Sequence, residues 1–110
     1  MANWSLEAAQ AMFPDVRTRT ARAVEAAEKA LERQQAAPAG TPEFEAAQRE
    51  VEAVVSRWAR EMEALGLVVK GPWLVDFDTG AGYYCWKWPE AELAHFHGYE
   101  EGFAGRVRIQ

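Results

Sequence analysis

Apolar and small residues recur every three or four positions through the first half of the chain. One stripe consists of Leu6, Ala9, Phe13, Val16, Thr20, Ala23, Ala27 and Leu31. A second stripe consists of Phe44, Ala47, Val51, Val54, Trp58, Met62 and Leu65. Alternating steps of three and four place residues on one face of an α-helix. The sequence therefore predicts two amphipathic helices, the first reaching about residue 35 and the second spanning about 42 to 65.

Residues with strong preferences for helix ends flank both stripes. Ser5 and Thr41 are good N-cap residues, and Gly66 suits the end of the second helix. Pro14 lacks a backbone N–H and disfavours helical angles at the residue before it, which predicts a break or kink there. The short connection at 36–40, with its Pro and Gly, predicts that the two helices are antiparallel.

After Gly66 the apolar pattern changes to alternation at every second residue, which is typical of strands. Predicted strands lie at 67–69, 73–77, 83–88, about 94–97 and 106–109. Nine of the 13 aromatic residues lie here, more than one face of a short sheet buries, so the sheet should pack on the helices. We predict one α+β domain over residues 1–110: a long antiparallel two-helix hairpin (about 5–66) packed on a small antiparallel, aromatic-rich β-sheet (about 67–110).

Charge and composition narrow the class of protein. The chain carries 17 acidic and 12 basic side chains, a net charge of −5, which argues against nucleic acid as a partner. No stretch of about 18 apolar residues is present to span a membrane, and the N-terminus does not resemble a signal peptide. With Cys85 as the single cysteine, no internal disulfide forms. We expect a cytoplasmic protein without a membrane partner.

Three side chains of the β segment are candidate metal ligands: Cys85, His95 and His97. Thiolate and imidazole donors suit a divalent metal such as zinc, and alternation places both histidines on one face of a strand. The acidic residues that would complete such a site are Asp76, Glu100 and Glu101. The interpretation that we favour is structural: Cys85 is a small buried core residue and His97 a hydrogen-bonded side chain at a strand end. A nucleophilic Cys85–His97 pair is a third hypothesis.

One predicted ion pair links the middle of the sheet to the C-terminal segment. Asp76 lies between Val75 and Phe77 in an apolar run, where an unpaired carboxylate is costly. Arg106 is the candidate partner, and we predict a structural bidentate pair. The alternative for the same two residues is anion binding.

Several motifs, taken in order, resemble those of a bacterial and archaeal family catalogued as domain of unknown function 2203. They are Ser5 to Ala9, Phe13-Pro14-Asp15, Leu74 to Phe77, Tyr84-Cys85-Trp86, Phe96-His97 and Gly102-Phe103-Ala104-Gly105-Arg106. The motif residues implied by the resemblance are Trp86, His97, Gly102, Phe103, Gly105 and Arg106. The resemblance implies no activity, because none is established for the family.

No phosphate-binding loop, dinucleotide fingerprint, nucleophile elbow or zinc-protease motif occurs in the sequence. We therefore favour a non-enzymatic cytoplasmic scaffold that acts through a protein partner or self-association, without a cofactor. The narrow helical stripes would allow coiled-coil pairing between chains, so a homodimer is one hypothesis. The alternative function is a small metal- or ligand-binding protein that uses Cys85, His95 and His97.

Overall fold

The computed structural model describes residues 3–109, and its elements follow the predicted order. The helices are α1 (Leu6–Ala36) and α2 (Pro42–Ala64). The strands are β1 (Val68–Gly71), β2 (Leu74–Asp78), β3 (Tyr83–Lys87), β4 (His95–His97) and β5 (Val107–Arg108), and a short 3-10 turn covers Phe103–Gly105. The predicted α+β class is confirmed. Within the described range, neither helix is long and apolar enough to cross a membrane.

Both helices begin at the predicted caps, but the predicted break at Pro14 is wrong. The Ser5 hydroxyl accepts a hydrogen bond from the Ala8 amide at 3.0 Å, and the side chain of Thr41 caps α2 in the same way. Helix α1 runs without interruption through Pro14. Because Phe13 and Val16 on either side are both buried in the core, packing outweighs the one backbone hydrogen bond that the proline removes.

The contact between the helices is centred on Trp58, which is 1% exposed. Its indole N–H donates to the Thr20 hydroxyl at 2.8 Å, and that hydroxyl donates to the Val16 carbonyl at 2.8 Å. Towards the far end of α1 the buried positions are Val24 and Ala30. Leu31, predicted to lie in this contact, is instead 42% exposed, because a strict seven-residue stripe drifts around a straight helix.

The five strands form one antiparallel sheet in the order β1-β2-β3-β4-β5. Alternate residues of the sheet point to opposite faces. On the inner face, Val75, Phe77 and Trp86 are fully buried and belong to the same core cluster as Trp58 of α2. The residues between them point to the outer face, away from the helices, and include polar side chains that are also buried.

Candidate functional site

Strand register brings the candidate side chains together on the outer face of the sheet. Asp76 of β2 lies opposite Cys85 of β3, and Cys85 lies opposite His95 of β4. Tyr83, two residues before Cys85, lies opposite His97. Residues that pair directly across antiparallel strands point to the same face, so the outer face carries all of these side chains.

The closest group consists of Asp76, Cys85 and His97. One ligand atom from each (carboxylate oxygen, sulfur and ring nitrogen) lies within 4.8 Å of the other two. Their exposed fractions are only 1%, 1% and 3%. Oδ1 of Asp76 is buried and has no hydrogen-bond partner among residues 3–109. An unsatisfied buried carboxylate oxygen is rare and energetically costly. This atom therefore makes the cluster a candidate functional site.

His97 is held between two oxygen acceptors. Its Nε2 lies 3.0 Å from Oδ2 of Asp76, and its Nδ1 lies 2.9 Å from the Gly98 carbonyl oxygen. A neutral imidazole carries a single N–H. Both contacts are hydrogen bonds only if the ring carries two protons or the carboxyl group carries one. A metal ion bound at Nε2 would remove this requirement, because Nδ1–H alone would then satisfy the Gly98 carbonyl.

The Cys85 thiol is protonated in this environment. Burial, and next the neighbouring Asp76 carboxylate, raise its pKa to about 12, and the opposing effect of the Arg106 guanidinium is smaller. Since the nucleophile in cysteine chemistry is the thiolate, and since both nitrogens of His97 are directed at oxygen atoms, the geometry does not support a Cys85–His97 nucleophilic pair.

Lys70 of β1, which was not among the predicted site residues, borders the same cluster. Its Nζ lies 3.3 Å from Oδ2 of Asp76 and 4.1 Å from the centre of the Tyr83 ring. The signal was present in the sequence, because in a β1–β2 hairpin alternate residues of β1 share the face of Asp76. The pairing is irregular between Val69 and Gly71, so the alternation alone did not predict where the Lys70 side chain lies.

A cavity of about 230 Å³ opens beside the cluster. Its lining residues are Lys70, Leu74, Asp76, Cys85, His97, Gly102 and Phe103. The 3-10 turn that begins at Phe103 lies over the outer face and forms one wall. The buried donors therefore adjoin an open space rather than packed core.

The predicted ion pair between Asp76 and Arg106 does not form. Arg106 instead makes a bidentate pair with Glu90: Nη1 lies 3.0 Å from Oε1, and Nη2 contacts Oε2. Burial alone would raise the pKa of Glu90, but the hydrogen bonds from Arg106 and the Lys87 amide outweigh it and leave that pKa below its usual value. Sequence spacing missed this partner because Glu90 lies in the loop after β3, whose path the strand pattern does not determine.

The other predicted ligands lie outside the three-residue cluster. His95 is on the correct face, but it is not part of the group of atoms within 4.8 Å, and its Nδ1 is buried without a partner among the described residues. Glu101 accepts a hydrogen bond from the Gly98 amide at 2.8 Å and so stabilises the turn after β4. Of the acidic candidates, Asp76 is the one that joins Cys85 and His97.

Most of the C-terminal motif residues named above lie around this site, and Trp86 is the exception. His97, Gly102 and Phe103 line the cavity. The Arg106 guanidinium lies 4.0 Å from the centre of the Phe103 ring, and its Nη1 lies 4.0 Å from the Cys85 sulfur. Trp86 belongs to the core on the inner face.

Comparison with known proteins identifies the family of the chain but supplies no activity. No curated protein matches the chain, and no solved structure matches it. The model of the family described as uncharacterized conserved protein (DUF2203) matches residues 3–109, nearly the whole chain. The resemblance seen in the sequence motifs is therefore confirmed, and the chain belongs to this family.

Proposed function

We propose that the protein binds a divalent transition-metal ion through Asp76, Cys85 and His97. The observation that supports this is the convergence of three buried donor atoms within 4.8 Å, one of them on a carboxylate whose Oδ1 has no partner among residues 3–109. Carboxylate, thiolate and imidazole together suit zinc. The bond lengths of zinc, about 2.0 to 2.3 Å, require the widest ligand pair to close by roughly 1 Å through side-chain rotation.

The surroundings of His97 support its role as a ligand in this proposal. Metal-binding histidines usually donate their second ring N–H to a carboxylate or a backbone carbonyl, which fixes the tautomer and aims the other nitrogen. Nδ1 of His97 faces the Gly98 carbonyl at 2.9 Å in this manner. A bound ion would also neutralise Asp76 and take the place of the Cys85 proton, because cysteine binds metals as the thiolate.

The test is metal binding by protein purified without an affinity tag, measured by elemental analysis and by competition with a chromophoric zinc chelator. We expect one zinc ion per chain. Asp76→Asn, Cys85→Ser and His97→Gln should each weaken binding by about tenfold to a hundredfold or more, given what even supporting partners of metal ligands contribute. Circular dichroism of each variant verifies that it is folded.

His95→Gln is the matched control, since His95 lies on the same face but outside the cluster. It should retain the zinc affinity of the unmodified chain. Zinc binding that survives all three ligand variants would contradict the proposal. Loss of zinc binding in His95→Gln but not in Asp76→Asn would also contradict it. That result would assign the ion to Cys85, His95 and His97, the ligands predicted from the sequence.

We propose self-association as a second function, supported by an apolar groove on the helical hairpin. The groove has a volume of about 310 Å³ and is lined by Val24, Ala27, Glu28, Leu31, Val51, Val55, Trp73 and Trp88. Leu31 is 42% exposed beside it. A second copy of the chain is the occupant we propose: two such surfaces related by a twofold axis would each bury the Leu31 of the other. In this function the protein acts as a non-enzymatic scaffold.

Light scattering coupled to size-exclusion chromatography tests this second proposal. We expect a dimer that Leu31→Glu converts to a monomer, because a buried unpaired carboxylate opposes association. Ala26→Glu, at an exposed position of the same helix outside the groove, is the control and should remain dimeric. A monomer for the unmodified chain would contradict the proposal. Metal binding through Cys85 needs its thiol to stay free, as it is in this structure. A reducing compartment keeps thiols free, and we propose the cytoplasm.

A further inference from the structure

The cavity beside the cluster has a mixed lining and a small volume. Lys70 and the three donors contribute polar atoms to the lining, while Leu74 and Phe103 contribute apolar surface. Its volume of about 230 Å³ is below the range of about 300 to 1,000 Å³ that is usual for drug-sized ligands. A cavity of about 150 Å³ holds the six carbon atoms of benzene, so this one admits a ligand of about ten non-hydrogen atoms or fewer.

Three protein ligands leave a tetrahedral ion with one free coordination position. The side chains of Asp76, Cys85 and His97 all line the cavity, so an ion held by them faces that space. The atom that completes the coordination then comes from whatever occupies the cavity.

Lys70 determines the charge of that occupant. Its ammonium group contacts Oδ2 of Asp76 at 3.3 Å, and its side chain is 37% exposed, so it can move. A divalent ion on Asp76 supplies the positive charge that Lys70 otherwise supplies, and like charges at close range repel. The ammonium group of Lys70, which also lies 4.1 Å from the centre of the Tyr83 ring, is then free to pair with an anion at the edge of the cavity.

We infer that the metal site takes a small organic carboxylate as its ligand. One carboxylate oxygen completes the coordination of the ion, the other accepts a hydrogen bond from Lys70, and the short carbon chain packs against Leu74 and Phe103. The inference rests on the proposed metal-binding function and extends it from the ion to the class of ligand. Charge-assisted hydrogen bonds to a carboxylate are stronger than those between neutral groups, so Lys70 contributes specificity for anions.

The experiment uses the full chain loaded with Co²⁺, whose visible spectrum responds to a change in its ligands. Acetate and propionate are titrated at constant ionic strength maintained with perchlorate, and acetamide is the uncharged control. We expect saturable spectral changes with both carboxylates, tighter binding of propionate because of its additional methylene group, and no change with acetamide.

Two variants and one control separate the roles of Lys70 and Phe103. Lys70→Met should bind acetate about tenfold more weakly, the factor typical of one charge-assisted hydrogen bond, while it binds Co²⁺ at least as tightly because a competing cation is gone. Lys29→Met removes the same charge at a distant exposed site beside Glu25 and should leave acetate binding unchanged. Phe103→Ala should reduce the preference for propionate over acetate.

The outcomes distinguish this inference from the function on which it rests. If the chain binds Co²⁺ through the three ligands but its spectrum does not respond to either carboxylate, the inference is wrong and the metal-binding proposal stands. If Co²⁺ does not bind, both are wrong. Equal acetate affinity in Lys70→Met and the unmodified chain would overturn the role given to Lys70, and an equal response to acetamide would overturn the requirement for an anion.

Discussion

The tertiary structure and the sequence pattern assign different ion-pair partners to Arg106, and double-mutant cycles can identify the true partner. One cycle combines Arg106→Met with Glu90→Gln, and the other combines Arg106→Met with Asp76→Asn. The structure places Arg106 in a bidentate pair with Glu90 and places Asp76 next to Lys70 and His97. Only the first cycle should therefore show strong coupling.

The expected size of the coupling follows from burial and geometry. The side chains of Arg106 and Glu90 are 14% and 26% exposed, so solvent screens their interaction only in part. Exposed ion pairs contribute about 0.2 to 1 kcal/mol, whereas hydrogen bonds to charged groups contribute about 1.5 to 3 kcal/mol. We expect coupling of about 1 to 2 kcal/mol between Arg106 and Glu90 and less than about 0.5 kcal/mol between Arg106 and Asp76.

Urea denaturation of the single and double variants, followed by tryptophan fluorescence, measures both coupling energies. The coupling with Glu90 should also depend on pH. Because the pKa of Glu90 is lowered in the folded state, the stabilisation is complete above the usual glutamate value of about 4.3 and is lost as the pH falls through the lower folded value. Stronger coupling of Arg106 to Asp76 than to Glu90, or coupling to Glu90 that does not weaken in acid, would refute this reasoning.

Two further predictions concern the core and the thiol. Trp58→Ala should lower the free energy of unfolding by about 3 to 5 kcal/mol, and Trp58→Phe by about 1 to 3 kcal/mol because the Thr20 hydroxyl loses its donor; an unchanged urea midpoint in Trp58→Ala would show that Trp58 is not core. Cys85 should react slowly with iodoacetamide at pH 8 in the folded state and rapidly after unfolding, because its pKa is raised from 9.0 to about 12 and the thiolate is the reactive form. Since the pKa of this thiol is higher in the folded state, its contribution to stability is complete below pH 9.0 and is lost as the pH rises towards about 12. Cys85→Ala should therefore lose less stability over this alkaline range than the unmodified chain. An equal loss in both proteins would contradict the raised pKa of Cys85.

Local sequence patterns were enough to predict the elements of this fold and most of the residues that they bury. The spacing of apolar residues is a local property, so it predicted both helices, all five strands and the change of period at Gly66. Alternation along β3 also places Cys85 and Trp86 on opposite faces, and the structure buries both of them, at 1% and 0% exposure. The helix caps at Ser5 and Thr41 were predictable because each bond joins residues only three apart.

Which side chains meet depends on long-range packing, which local sequence patterns do not encode. Pro14 is accommodated within α1 because the residues around it pack into the core, an effect that local backbone preferences do not include. The partner of Arg106 depends on the path of the loop that carries Glu90, and the approach of Lys70 to Asp76 depends on irregular pairing in β1. The third member of the candidate site is Asp76 rather than His95 because side-chain directions across three neighbouring strands, which no sequence period encodes, determine which donor atoms converge.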